Sequence, residues 1–206
     1  MTLFPGRDAD VTTAVAALLA KSRLSIPRTW APTALDYAWH DERPVVVLRH
    51  QPPGHNGHGG PHASVVVDRT DGTLLGWTRL DGPRPGPLPG TDDAHAAAER
   101  FWHLIDPLHA EGLTVQWVAQ HDETITTADG RGTAVCGMRV NARHINGLYT
   151  WAVVAGDLSV LTYERDVQWD ERTARRRTQM WLHDRWRAAV EGTAPAPAPP
   201  WAPARR

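Results

Sequence analysis

The tightest constraint on this chain is an internal doubling of its residue pattern. Asp10–Ala20 (DVTTAVAALLA) matches Asp93–His103 (DAHAAAERFWH). Leu35–Trp39 matches Leu113–Trp117, each ending in Trp. Arg49 in PVVVLR matches Arg139 in AVCGMR, and Val65–Arg79 matches Trp151–Arg165, pairing LLGWTR with VLTYER. The apolar spacing of the first match is helical, and the alternation in the others is that of strands. A helix followed by four antiparallel strands is therefore predicted twice. A helix stripe and a sheet face must each be buried against a partner. The expected fold class is α+β: two diverged helix-plus-antiparallel-sheet units with an additional C-terminal helix.

Punctuation residues set the boundaries. Residues 1–80 read as the first unit. Its helix runs from about Asp10 to Ser22, and its last hairpin turns at Thr70-Asp71-Gly72, a strong turn signal. The run DGPRPGPLPG, residues 81–90, is a linker by its Pro and Gly density. Residues 91–191 read as the second unit, with a helix from Thr91 to about Ala110 and an Arg-rich final helix from about Asp170 to Glu191. The tail of residues 192–206, TAPAPAPPWAPARR after its Gly, reads as disordered with polyproline character.

One helix laid across a meander whose last hairpin turns at Asp-Gly resembles the PepSY unit and the related tandem YcdB/YcdC-type repeats. The residues carrying the resemblance are Asp93–His103 with Tyr149–Glu164, and Asp10–Ala20 with Val65–Trp77. It spans most of residues 8–167. It implies units that are mostly extracytoplasmic and that bind peptides or restrain peptidases.

Composition excludes several functions. A formal net charge of -1 gives no whole-molecule field for nucleic acid or an acidic membrane, so neither is an expected partner. The Arg-rich stretch after Asp170 reads as a docked helix with a solvated basic face. The single cysteine, Cys136, rules out an internal disulfide and reads as an inert strand thiol. Lys21 is the only lysine and lies at a helix end, which sets aside lysine chemistry. The N-terminal residues MTLFPGRDAD lack a basic region followed by an apolar run, so the expected location is cytoplasmic. Ten tryptophans supply large apolar surfaces with one donor each, fit for cores, ligand sites or a homodimer interface.

Three groups of residues carry candidate chemistry. His50, His55, His58 and His62 lie in or beside a Gly/Pro-rich loop, and neutral imidazoles so spaced are potential ligands for a divalent transition metal. No zinc template or helix fixes their geometry, and a mobile lid over a pocket is the alternative. No organic cofactor is expected. On the strands, Trp77 precedes Arg79 by two residues and Tyr163 precedes Arg165 by two, with Leu75 and Leu161 two before the aromatics. Residues two apart share a face. With Arg49 and Arg139 these form a candidate ligand-binding set, since guanidinium forks onto carboxylates and stacks on rings. The competing reading makes the aromatics core and lets the arginines reach solvent at strand ends. Finally, His121-Asp122-Glu123 is a candidate acid–base cluster, or else a polar turn. No nucleophile elbow, P-loop or dinucleotide fingerprint is present.

Two functions follow. One is a binding module for a peptide or small aromatic or anionic metabolite, in a cleft lined by Trp, Tyr and Arg. The other is a small enzyme (cyclase, isomerase or hydrolase) using His and Asp/Glu as acid and base, metal-assisted if the His loop binds an ion. Converging titratable groups in a cavity mark the enzyme; an apolar cleft without them marks the binder.

Overall fold

The computed structural model describes residues 8–204. Helix α1 spans Asp8–Lys21. Strands β1 (Ala31–His40), β2 (Arg43–Gln51), β3 (His62–Asp68) and β4 (Leu74–Leu80) follow. Then come α2 (Thr91–Ile105), α3 (Pro107–Glu111), β5 (Leu113–Thr126), β6 (Gly132–His144), β7 (Tyr149–Val154) and β8 (Val160–Val167). The chain closes with the short pair β9 (Trp169–Asp170) and β10 (Arg175–Arg176), and with α4 (Asp184–Val190). No helix among the described residues is long and apolar enough to cross a membrane.

Each meander is antiparallel, and the two meet through their last strands. The sheet order is β1-β2-β3-β4-β8-β7-β6-β5, one continuous eight-stranded sheet. At the seam Trp77 lies opposite Tyr163, Gly76 opposite Glu164 and Thr78 opposite Thr162. The two threonine hydroxyls bond each other at 2.8 Å. The predicted Asp-Gly turn closes β3 onto β4: Gly72 has φ 77, and the Asp68 carboxylate accepts the Thr70 N–H.

Helices cover one face. Val11, Val15 and Leu19 of α1 and Ala94, Ala97, Ala98, Phe101 and Trp102 of α2 pack on Val46, Leu48, Val65, Trp77, Val140, Ala152 and Tyr163. The alanines let α2 lie close to the sheet. Its predicted end at Ala110 is interrupted at Pro107, because the residue before a proline is pushed out of the helical region. Asp106 is extended there (φ -154, ψ 94), and its side chain accepts the His109 N–H to start α3.

The opposite face is covered by residues 168–204, where the sequence reading needs correction. The helix expected over Asp170–Glu191 is confined to Asp184–Val190. Tertiary polar partners displace the rest of it. Thr178 Oγ1 accepts the Gln168 N–H and donates to Asp41. The buried Arg176 guanidinium donates to the Thr178 and Gln179 carbonyls and to Glu164. The tail expected to be disordered is also packed as far as it is described. Ala202 is fully buried, its carbonyl accepts the Trp186 indole N–H, and the Trp201 carbonyl accepts from Arg175. Arg205 and Arg206 lie outside the described residues.

Of the five register shifts in the sheet among the described residues, two re-aim core side chains. They lie between Val66 and Val67 and between Val153 and Val154. Each moves one leucine across the sheet. Leu75 packs with Val45, Val47 and Leu182, and Leu161 packs with Val153 and Ile125, on the face away from the helices. The expectation that Leu75 sides with Trp77, and Leu161 with Tyr163, fails because a bulge breaks the period of two.

Candidate functional site

Between the sheet and the C-terminal covering lie two adjoining cavities of about 330 and 370 Å³. Asp122, Glu123, Thr162, His183 and Trp201 line both, so the two are parts of one cleft. A more open groove of about 710 Å³ runs on the helix face, over Trp77 and Phe101. Two of its arginines, Arg79 and Arg84, share one carboxylate, Asp81. The titratable side chains converge in the cleft.

Strand β5 supplies the first of them. The triplet His121-Asp122-Glu123 is in this strand and forms no turn. Alternation puts His121 and Glu123 on one face, where His121 Nε2 meets Glu123 Oε1 at 3.1 Å. From β8 comes Glu164, and from the start of α4 comes His183, with its Nε2 3.0 Å from Glu164 Oε1. Glu164 Oε2 accepts from Arg176 at 2.5 Å. His183 Nδ1 is 3.9 Å from Glu123 Oε1. His121, Glu123, His183, Glu164 and Arg176 thus form a row of neighbouring titratable groups along the cleft. Burial alone would raise the Glu164 carboxyl, but the Arg176 guanidinium and His183 hold it well below the usual carboxylate range. Glu123 is likewise held low against its burial, by the His121 hydrogen bond and the nearby His183.

Arg139 on β6 reaches the same cleft. Its guanidinium lies between Trp117, 5.3 Å from the ring centroid, and Trp151, 4.1 Å away. Among the described residues it makes no ion pair within 4.0 Å, and Nε is buried without a hydrogen-bond partner. Burial pushes its pKa down to about 10, offset in part by the more distant Glu164 and Glu123. Trp169, Trp201 and Met180 supply apolar wall.

The other sequence candidates are placed elsewhere. Arg49 is held bidentately by Asp184, at 2.7 and 2.9 Å, and lies opposite Ser64. Arg139 lies opposite Val153, the counterpart of Val67 in the repeat alignment, so the two arginines are not at equivalent sheet positions. Trp77 and Tyr163 are core residues. Trp77 donates to the Val160 carbonyl, and Tyr163 packs edge-on against Phe101. Arg79 is held by Asp81, and Arg165 by Asp106 and the His109 ring. The aromatic-then-Arg pairs thus present core rings and arginines already matched to carboxylates of this chain.

The four histidines do not converge on one point, although His58 and His62 each lie 3.6 Å from Asp184. Strand alternation sends His50 to the helix face with Leu48, and His62 to the other face. His58 contacts Glu191 at 2.7 Å and Asp184 at 3.6 Å, while His55 lies beside Gly60. No three His, Cys, Asp or Glu side chains among the described residues are grouped to hold a metal ion. The loop is instead fastened to α4. Asp184 accepts the Gly59 N–H at 2.6 Å, and the Gly57 carbonyl accepts from Gln51. The Gly59 carbonyl accepts the Thr126 N–H at 2.6 Å, making the loop one wall of the larger cavity. The Asp184 and Glu191 carboxylates raise the His58 pKa against its burial.

His183, Glu164, Arg176, Trp169 and Trp201 were missed from sequence. One signal was available. Glu164 stands in a strand between Tyr163 and Arg165, and a carboxylate buried in a sheet requires a cation partner.

No family model matches this sequence. No curated protein matches it. Among solved structures, it is similar to the Bacillus megaterium YpeB C-terminal domain, at 12% identity and a TM-score of 0.49. The match covers 78% of this chain and 63% of that one, so the chain spans less than two thirds of that domain.

Proposed function

We propose that this chain binds a small aromatic carboxylate in the cleft between the sheet and residues 168–204. The observation that carries the reading is Arg139. A desolvated cation with no carboxylate partner is costly unless an anion completes it. The arginines Arg49, Arg79, Arg165, Arg176 and Arg187 each hold a carboxylate of the chain itself. Arg139 holds only indole faces, which leaves its fork for the ligand's acid group. Trp151, Trp169 and Trp201 offer planar surface for a ring. Cavities of about 330 and 370 Å³ fall in the range that accepts small molecules.

The test uses 3-phenylpropionate, which carries a ring and a carboxylate. Titration calorimetry on the full chain is expected to give saturable binding. Hydrogen bonds to charged groups contribute about 1.5–3 kcal/mol. Arg139→Met should therefore weaken binding roughly tenfold to a hundredfold. Absence of binding, or equal affinity in the variant, overturns the proposal.

A further inference from the structure

The cleft holds more polar machinery than a receptor for an aromatic acid requires. Glu164 is buried and ionised, and an ionised carboxylate only accepts hydrogen bonds. An imidazole nitrogen 3.0 Å from that carboxylate must carry a proton, so His183 Nε2 donates to Glu164 Oε1. In the neutral imidazole Nδ1 is then the lone pair, on a ring that lines both cavities. Arg176 fixes Glu164 from its other oxygen, and the α4 backbone anchors His183 through the Trp186 and Arg187 N–H groups on its carbonyl. A base oriented by a buried carboxylate is the arrangement that general-base catalysis uses. Glu123 Oε1 is the carboxylate oxygen facing Nδ1, at 3.9 Å, and it meets His121, 32% exposed at the side chain, at 3.1 Å. A small side-chain movement would connect His183 to a group that reaches water. No serine or cysteine lines either cavity. The Thr78 and Thr162 hydroxyls bond each other. His183 is thus an oriented base with no serine or cysteine beside it in the cleft.

We propose that His183 is a general base that removes a proton from carbon in a bound aromatic keto acid, with Arg139 holding the carboxylate. This rests on the binding reading above and names its substrate class. In the step, Nδ1 takes the hydrogen from the carbon beside the carbonyl. The C–H electron pair becomes the carbon–carbon double bond of an enolate, and the carbonyl π pair moves onto oxygen. Return of a proton to carbon restores the keto acid. No oxidant, reductant or second substrate is consumed. The proton held meanwhile on His183 exchanges with solvent through Glu123 and His121. His183 is the catalytic residue; Glu164 is a positioning residue.

The experiment follows exchange of the benzylic hydrogens of phenylpyruvate in D₂O by proton NMR, with the full chain. The wild type is expected to accelerate exchange saturably over buffer. General-base groups contribute about a hundredfold or more. His183→Gln keeps a donor for Glu164 but cannot take the proton, and should lose that factor in kcat with KM little changed. In His183→Ala, added imidazole should restore part of the rate, which a purely structural role would not allow. If phenylpyruvate binds but exchanges no faster than in buffer, the catalytic inference falls and the binding reading stands. If it does not bind, both fall. If His183→Gln exchanges as fast as wild type, His183 is not the base.

Discussion

Glu164 shows how one side chain sets local chemistry. It and Arg176 are 3% and 2% exposed at the side chain, and each is the other's principal charge partner. Glu164→Gln would leave Arg176 buried with half its partner gone. Breaking a buried pair in this way costs about 3–5 kcal/mol, to be read as a lower urea midpoint at pH 7. The pH dependence has a definite sign. The folded Glu164 pKa lies below its ordinary 4.5, so its stabilisation is present above that value and is lost as pH falls through the folded pKa. Asp184 behaves alike below its ordinary 3.8. Burial holds His40, His50 and His62 below 6.5, and His109 down at about 4. The unfolded chain takes up those protons first, so their contribution declines from pH 6.5 downward. His58, with a raised pKa, opposes this: its contribution is full below 6.5 and is lost as pH rises through its folded pKa. Urea titrations from pH 7 to 3 should show a continuous loss of stability. The slope below about 4.5 should be shallower in Glu164→Gln.

Among the elements, the linker and the C-terminal covering depart most from their local propensities. Residues 81–90 carry the Pro and Gly of a spacer, yet they are packed. A Cβ on Gly156 would come within 2.7–2.9 Å of the Pro85, Gly86 and Pro87 carbonyls. Only glycine permits that approach. Gly156→Ala must displace the linker backbone and is expected to cost about 1–3 kcal/mol, the usual penalty for overpacking. Thermal denaturation of the purified variant checks it. Helix α2 was readable because its alanine and aromatic stripe repeats over fifteen residues. The segment after Asp170 has comparable helical spacing, but Arg175, Arg176 and Thr178 bond the tail carbonyls, Glu164 and Asp41, which a continuous helix would not allow. The bulges at Val66/Val67 and Val153/Val154 belong to the same class of exception, since alternation carries no mark of where an extra residue enters.

At the scale of the molecule, the two meanders share one core. Residues from α1, β2 and β3 and from α2, β6 and β7 form a single apolar cluster that runs across the β4–β8 seam. Separating the halves would expose that seam and two unpaired strand edges. Unfolding should therefore be one cooperative transition, with far-UV circular dichroism and tryptophan fluorescence coincident along a urea curve. Two resolved transitions would contradict the shared core.

The sequence alone determined the succession of main helices and strands as far as Val167, the Asp-Gly hairpin, and the α+β class, because apolar periodicity and turn chemistry are local properties. It also singled out His121, Glu123 and Arg139, since polar groups in strand patterns are conspicuous. It left open whether Trp77 and Tyr163 fill the core or line a site, and did not reveal that His50 and His62 leave the loop for opposite faces or that Glu164 and His183 meet at the cleft. Those outcomes depend on register, on two bulges, and on a C-terminal segment whose polar groups pair with residues far away in the chain. Only tertiary structure sets such pairings, because burial decides which charges must find a partner and which remain open to a ligand.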